Sequence, residues 1–174
     1  MTSTCLVVMG VSGAGKSTVA QLLGQGLGWA TAEADEFHPE ANIEKMTNGI
    51  PLADADRLPW LSTMRDWITR RGEDGANTIV TCSALKRTYR DHLRRSRARV
   101  RFVHLSGSAE TIGTRLTERS GHFMPASLLD SQFGDLEPLR PDEDGVTVDV
   151  THPPEEIARM TITALGLDAC PAAR

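Results

Sequence analysis

The strongest constraint on the fold is the stretch Gly-Val-Ser-Gly-Ala-Gly-Lys-Ser at residues 10–17, which directly follows the apolar run of residues 5–9. It matches the pattern G-x-x-x-x-G-K-[ST]. Glycines let successive backbone N–H groups converge on an anion, and a helix that begins after them points its positive N-terminus at the same place. Residues 19–23 continue with helical spacing, and the preceding run is typical of a buried parallel strand. The stretch therefore predicts a strand–loop–helix unit that binds phosphate.

Two side chains at the end of this loop add chemistry to the backbone. Lys16 supplies a positive charge to the phosphates and is a candidate catalytic residue, and Ser17 is placed to give its hydroxyl directly to Mg²⁺. The candidate nucleotide site formed with the backbone comprises Gly10, Val11, Ser12, Gly13, Ala14, Gly15, Lys16, Ser17 and Thr18.

The composition limits the classes of binding partner and the cellular compartment that we expect for this chain. The 174 residues, 40% hydrophobic and 24% charged, suffice for one domain, predicted to span residues 1–174. A net charge of −4 argues against nucleic-acid binding, although eight of the 19 Lys and Arg residues lie within residues 86–101. Cys5, Cys82 and Cys170 lack the spacing of a zinc site or a disulfide framework. Because no signal-peptide pattern or membrane-length apolar run is found, we expect a cytoplasmic protein without membrane or nucleic-acid partners.

Apolar runs and helical spacing alternate along the chain. Strands are predicted at residues 5–9, 29–34, 78–82, 100–105 and 146–150. Helices are predicted at residues 16–27, 39–48, 87–97, 109–117, 126–136 and 154–165, with a longer one beginning at Asp54. This alternation predicts an α/β fold with three α/β/α layers around a mainly five-stranded parallel sheet, of the phosphate-loop NTPase type. Residues 138–145 are expected to form an irregular acidic loop, and the tail from residue 168 to be disordered.

Two acids, Glu33 and Asp35, follow the second predicted strand. Ligands of open α/β sheets bind outside the carboxyl ends of the strands, so both carboxylates are expected at the crevice of the phosphate loop. One could hold Mg²⁺ through water, and Asp35 could accept a proton from an attacking hydroxyl as a catalytic residue. The third strand ends in Cys82 and Ser83 without an aspartate, so Mg²⁺ would depend on Ser17, phosphate oxygens, water and this pair.

Residues 36–62 suggest a helical region that binds a small polar acceptor. His38 and Lys45 are seven residues apart, which places them on one face if a single helix includes both. Arg57 lies beside a predicted helix start, where a guanidinium can anchor a carboxylate or a hydroxyl. Trp60 is expected to be a core or interface residue.

Residues 119–126 are predicted to form a short lid. Arg115 and Arg119 lie four residues apart and precede a glycine, His122 and an aromatic residue, a composition typical of a loop over an anionic site. Kinases need such closure because water competes with the acceptor for the phosphoryl group. Gln132, on the next predicted helix, is expected near the base of the lid.

Taken together, these motifs resemble those of the gluconokinases of the small, thermoresistant type, within the phosphate-loop small-molecule kinases. The resemblance runs from about residue 6 to residue 162. Besides the loop, it rests on Phe-His-Pro at 37–39, Asp-Ala-Asp-Arg-Leu-Pro-Trp-Leu at 54–61, Cys-Ser-Ala-Leu-Lys-Arg at 82–87 and Gly-His-Phe at 121–123.

The resemblance implies an ATP-dependent kinase that transfers the γ-phosphoryl group to the 6-hydroxyl of D-gluconate, giving 6-phospho-D-gluconate. It also implies Mg²⁺ dependence, a cytoplasmic location and a homodimer. Glu33 and Ala34 stand where such proteins usually have Asp and Gly, which could alter the outer shell of the metal. By the same resemblance, Arg115 and Arg119 would bracket ATP, Asp35 would orient or deprotonate the acceptor hydroxyl, and the candidates to bind the sugar acid are Lys45, Arg57, Lys86 and Arg87. His38, His122 and Gln132 are further candidate ligands of the acceptor.

Other functions remain open from the sequence. Shikimate kinases carry a glycine triplet where this chain has Cys82-Ser83-Ala84, and nucleotide kinases usually carry Asp-Gly-aromatic-Pro-Arg there. A nucleotide-binding switch is the alternative from another class, although the guanine-specifying Asn-Lys-x-Asp is absent from the sequence. Acceptor-dependent turnover would distinguish a kinase from a switch.

Overall fold

The structure, a computed structural model, describes residues 2–118 and 126–167. Its strands are β1 Thr4–Met9, β2 Ala30–Glu33, β3 Thr78–Thr81, β4 Arg99–Ser106 and β5 Gly145–Asp149. They form one sheet in the order β2-β3-β1-β4-β5, and every neighbouring pair is parallel. Because all the strands run in the same direction, their carboxyl ends lie along one edge of the sheet.

Helices connect these strands. In the described ranges they are α1 Lys16–Leu27, α2 Glu40–Thr47, α3 Asp54–Glu73, α4 Arg87–Arg94, α5 Ala109–Glu118, α6 Ala126–Asp135 and α7 Pro154–Ala164. A 3-10 helix, Ala34–Phe37, directly follows β2. Within the same ranges, no helix is both long and apolar enough to cross a membrane.

Side chains of β1 alternate between two hydrophobic cores. Leu6 and Val8 pack with residues of α1, α5, α6 and α7 on one face of the sheet. Val7 and Met9 pack with residues of α3 and α4 on the other face. A strand buried on both faces reads as the continuous apolar run seen in the sequence. The predicted three-layer α/β/α architecture is therefore confirmed.

The start of α2 separates two residues that were expected on one helix. Pro39 has an extended backbone with a ψ of 151°, so α2 begins only at Glu40. His38 is extended as well, as expected for a residue before proline. The condition for His38 and Lys45 to share a helical face is therefore not met.

The end of α4 is also earlier than predicted, at Arg94 rather than at residue 97. The N–H of Ser96 donates to the carbonyl of Leu93, and the Ser96 hydroxyl accepts from the N–H of Ala98. These bonds turn the chain before β4.

Two predicted segments lie beyond the described part of the chain. The lid predicted at residues 119–126 lies outside the described residues except for Ala126, the first residue of α6. The tail from residue 168 lies wholly outside them.

Candidate active site

Two glycines give the phosphate loop a backbone that other residues rarely adopt. Gly15 precedes α1 with a φ of +95°, and Gly10, at the end of β1, has a φ of +148°. A Cβ atom on Gly10 would lie 2.9 Å from the carbonyl oxygen of Leu105, so β4 leaves no room for a side chain there. The loop thus lies directly against β4 and leads into the N-terminus of α1, the end of a helix that favours an anion.

Backbone carbonyl groups of the phosphate loop hold the Lys16 ammonium group. Its Nζ donates hydrogen bonds to the carbonyl oxygens of Gly10 and Val11, at 2.9 Å and 3.1 Å. Burial lowers the pKa of Lys16 to about 8, and the nearby negative groups, Asp35 and Glu33 among them, only partly offset this. At neutral pH the ammonium group is still mainly charged, so it is ready to pair with a phosphate.

A cavity of about 220 Å³ at the carboxyl edge of the sheet joins the loop to the acidic pair. Glu33 is the last residue of β2, and Asp35 lies in the 3-10 helix that follows. The structure thus brings both acids to the same cavity as the loop residues. The lining consists of Ser12, Lys16, Ser17, Glu33, Ala34, Asp35, Trp60, Thr81, Cys82, Ser83 and Gln132.

The chemistry of these side chains fits Mg²⁺. Ser17 offers a hydroxyl, and Glu33 and Asp35 offer carboxylates, which are the oxygen ligands that a hard cation prefers. The Cys82 thiol does not compete, because burial raises its pKa to about 11. Within residues 2–118 and 126–167, no group of three or more His, Cys, Asp or Glu side chains could hold a metal ion. The donors therefore suit a cation that keeps water and phosphate oxygens as ligands, as Mg²⁺ does.

Two side chains from opposite layers support this cavity. The Trp60 Nε1–H donates to the carbonyl of Ala34 at 2.8 Å, and its ring stacks on His38 with centroids 4.2 Å apart. Trp60 was expected only in a core or an interface, but it also lines the cavity. From the other side, Gln132 Oε1 accepts from the Ser12 N–H at 2.7 Å, and its Nε2 donates to the Ser12 hydroxyl at 3.1 Å. The position of the phosphate loop thus depends on α6 as well.

Arg57 and Lys86 belong to one polar cluster at the N-termini of α3 and α4. Arg57 donates to the Tyr89 hydroxyl at 2.8 Å, and Tyr89 donates in turn to Asp54. Lys86 lies 3.6 Å from the same Asp54 carboxylate. In the described part of the chain, Arg57 forms no ion pair with a carboxylate, so its guanidinium keeps the capacity to bind an anionic ligand.

The other two predicted acceptor cations form closer ion pairs than Lys86 does. Lys45 forms an ion pair with Asp56 at 2.7 Å, and Arg87 forms one with Asp142 at 2.5 Å. The lining of the acidic pair's cavity includes none of the predicted acceptor residues His38, Lys45, Arg57, Lys86 and Arg87. The structure thus brings Arg57 and Lys86 together but places Lys45 and Arg87 in separate pairs.

A second cavity, of about 420 Å³, lies on the α7 side of the phosphate loop. Arg115 lines it and donates to the carbonyl of Val150. Sequence reasoning missed the contribution of residues 151–154, although their place directly after β5 puts them at the ligand-binding edge of the sheet. The other predicted ligands of this region, Arg119 and His122, lie outside the described residues. The lining of the second cavity comprises Gly13, Ala14, Gly15, Thr18, Val19, Arg115, Thr151, His152, Pro153, Pro154 and Ile157.

Comparison with known proteins agrees with this geometry. Residues 6–139 match the AAA domain family. The chain is 49% identical over 157 residues to the gluconokinase of Gluconobacter oxydans (strain 621H), covering 90% of this chain and 88% of that protein. The chain belongs to the gluconokinase family. The thermoresistant gluconokinase of Escherichia coli (strain K12) is 40% identical over 160 residues, 91% of each chain.

A solved gluconokinase structure has the same fold. The crystal structure of a gluconokinase from Sinorhizobium meliloti 1021 matches with a TM-score of 0.85 and 44% identity, over 94% of this chain and 91% of that one. The family and fold class that the sequence predicted are thus confirmed. As a member of the gluconokinase family with a phosphate loop, the chain is an ATP-using kinase.

Proposed function

We propose that this enzyme transfers the γ-phosphoryl group of ATP to the 6-hydroxyl of D-gluconate, giving 6-phospho-D-gluconate and ADP. The observation that carries the proposal is the cavity in which Lys16 and Ser17 of the phosphate loop meet Glu33 and Asp35. The gluconokinase relatives identify the acceptor class. In such a reaction, catalysis consists mainly of positioning and charge stabilisation.

In this proposal, Lys16 binds the phosphates of ATP, and Asp35 acts on the hydroxyl of the acceptor. When a nucleotide enters, Lys16 exchanges the Gly10 and Val11 carbonyls for phosphate oxygens, which stabilise its charged form and raise its pKa. Asp35 accepts a hydrogen bond from the attacking hydroxyl and takes its proton as the new oxygen–phosphorus bond forms and the bond from the γ phosphorus to the ADP oxygen breaks. Arg115, which lines the second cavity, would bind the nucleotide. Trp60 and Gln132 hold the adjoining residues Ala34 and Ser12 by hydrogen bonds.

Magnesium would be held by Ser17 directly, and by Glu33 and Asp35 through water. When bound, Mg²⁺ neutralises charge on the phosphate oxygens. Both carboxylates line the same cavity as Ser17.

For the acceptor, we propose that the Arg57 guanidinium binds the gluconate carboxylate, with Lys86 beside it. A planar guanidinium matches a carboxylate with two parallel hydrogen bonds. His38 and Gln132 would bind hydroxyl groups of the sugar acid. Lys45 and Arg87 could join them only by leaving Asp56 and Asp142.

The test is ADP release with ATP and Mg²⁺, measured side by side with D-gluconate, shikimate, nucleoside monophosphates and no acceptor. We expect strong stimulation by gluconate alone. Turnover that does not depend on any acceptor would contradict the proposal and support a nucleotide-binding switch. We further propose a cytoplasmic homodimer, for which light scattering of the purified protein should give twice the mass of the 18.9 kDa chain.

A further inference from the structure

Thr81 and Glu33 form a hydrogen-bonded pair at the edge of the cavity. They lie opposite each other in the register of β3 and β2, each as the last residue of its strand. The Thr81 hydroxyl donates to Glu33 Oε2, and the Thr81 residue is only 4% exposed. Both side chains line the cavity that holds Lys16 and Ser17. Glu33 Oε1 accepts no hydrogen bond from any described residue.

The Thr81–Glu33 pair lies where many phosphate-loop proteins have a metal-binding aspartate at the end of the third strand. β3 ends without a carboxylate, so the neighbouring strand must supply the acid for the metal. Glu33 is one methylene longer than aspartate, and each added rotatable bond increases the number of positions that the carboxylate can take. A buried hydroxyl that binds Oε2 removes this freedom while leaving Oε1 available.

We propose that Thr81 is a positioning residue that orients the Glu33 carboxylate toward the water shell of the metal. This inference rests on the proposed function, because it assumes that metal and nucleotide bind at this cavity. Groups that hydrogen-bond metal-binding carboxylates set their orientation, and losing them typically weakens metal binding by about 10-fold to 100-fold. Since Glu33 is expected to act through water, we expect the lower end of this range.

A purely structural role of the Thr81–Glu33 hydrogen bond would have a different experimental consequence. Among the described strands, β2 lies at the edge of the sheet and pairs with β3 alone. If the hydrogen bond merely fastened this edge, its loss would lower the unfolding temperature but leave metal affinity unchanged. Metal binding and stability must therefore be measured on the same variants.

The experiment titrates Mn²⁺, a paramagnetic substitute for Mg²⁺, into the enzyme–ADP complex and follows free Mn²⁺ by electron paramagnetic resonance. Thr81→Val removes the hydroxyl but keeps the branched shape that suits a strand. Thr81→Ser keeps the hydroxyl. Thr78→Val is the matched control, because Thr78 is buried on the same strand but does not line the cavity. We expect about tenfold weaker Mn²⁺ binding for Thr81→Val alone, and unchanged metal-free ADP affinity for all three variants.

A second measurement tests whether Thr81 acts on the metal through Glu33, with Thr81→Ala in place of Thr81→Val if the valine variant disturbs folding. Glu33→Asp shortens the side chain away from Thr81, so adding Thr81→Val to Glu33→Asp should change Mn²⁺ affinity by less than about twofold. Mn²⁺ affinity of Thr81→Val within about twofold of the wild type, or an equal loss in Thr78→Val, would overturn the proposal. Neither titration contains gluconate, so failure of gluconate turnover in the wild type would count against the proposed function and not against this pair.

Discussion

Glu143→Gln should be among the most destabilising single substitutions in this protein. The Glu143 side chain is fully buried and forms a two-pronged pair with Arg90, at 2.8 Å and 3.1 Å. It also accepts from Arg94 at 3.0 Å and from the backbone N–H of Arg140 at 2.8 Å. Arg90, likewise fully buried, donates to the carbonyl of Ala84 at 2.9 Å. Glutamine keeps the shape of Glu143 but leaves the charge of Arg90 buried without compensation.

The low pKa of Glu143 and the burial of its partner Arg90 both set the size of the expected loss of stability. Burial alone would raise the pKa of Glu143, but hydrogen bonds from Arg90, the Arg140 backbone and Arg94 outweigh it and lower the pKa from 4.5 to about 2. Such a shift corresponds to about 3 kcal/mol of stability at neutral pH. Removing one partner of a buried ion pair costs about 3–5 kcal/mol in other proteins. For a domain of this length, a loss of 3 kcal/mol lowers the unfolding temperature by about 6–12 °C.

Urea unfolding at pH 7, followed by circular dichroism, measures the effect. We expect Glu143→Gln to lower the free energy of unfolding by about 3 kcal/mol at an unchanged m-value. Asp142→Asn is the matched control, because Asp142 is the neighbouring residue and pairs with Arg87 at an exposed position. Exposed ion pairs contribute little, so the control should stay close to the wild type. A loss below about 1 kcal/mol in Glu143→Gln would refute the argument that Arg90 needs this carboxylate.

Acid titration provides a further check on the same variant. The folded protein keeps Glu143 ionised to lower pH than the unfolded chain does, so its stabilisation is complete above pH 4.5 and is lost as the pH falls toward 2. In Glu143→Gln this part of the acid sensitivity should disappear. An unchanged acid profile would contradict the assignment of the low pKa to Glu143.

Three further predictions concern the site and the core. Lys16→Ala should lower kcat by about 100-fold or more with every acceptor, because the phosphate loop loses its charge; full activity in the ADP-release assay would remove Lys16 from the mechanism. Asp35→Ala should lower gluconate-dependent kcat by a similar factor of about 100 while calorimetry finds ATP affinity nearly intact; unchanged turnover would exclude Asp35 as the base. In the described part of the chain, neither ring nitrogen of His104 has a hydrogen-bond partner, and burial together with the Arg90 charge lowers its pKa to about 4. As the pH falls below 6.5, the His104 imidazole is therefore protonated in the unfolded chain before it is protonated in the folded protein. The free energy of unfolding should thus fall by about 2 kcal/mol between pH 7 and pH 5. In urea unfolding, His104→Leu should abolish that loss. An equal loss in His104→Leu would assign the pH dependence to other groups.

Local patterns predicted the parts of this protein that depend on neighbouring residues. The bounds of Lys16–Leu27 follow from a glycine-rich loop before the helix and Gly28 after it. The acids Glu33 and Asp35 were located by their place after a strand, since parallel strands end at one edge of the sheet. Even the weak β2 was predicted, because a parallel unit needs a partner strand there.

Contacts between distant residues could not be predicted in the same way. Glu143 lies in a segment that reads as an irregular acidic loop, but it is 53 residues from Arg90, and only the folded chain brings them together. Thr81 has the composition of an ordinary strand residue, and its role depends on register with Glu33. Lys45 and Arg87 resemble free cations in the sequence because nothing local indicates Asp56 or Asp142 as partners.

The position of β3 between β1 and β2 has a consequence for how this enzyme can change. Two inter-strand spacings, about 10 Å together, separate the end of β1, where the phosphate loop begins, from the end of β2, where the acids begin. Main-chain hydrogen bonds between paired strands set this gap, and side chains on the cavity wall do not. Changes in the segment between β2 and β3 can alter which molecule enters, but every successful acceptor must carry a hydroxyl across the same fixed span.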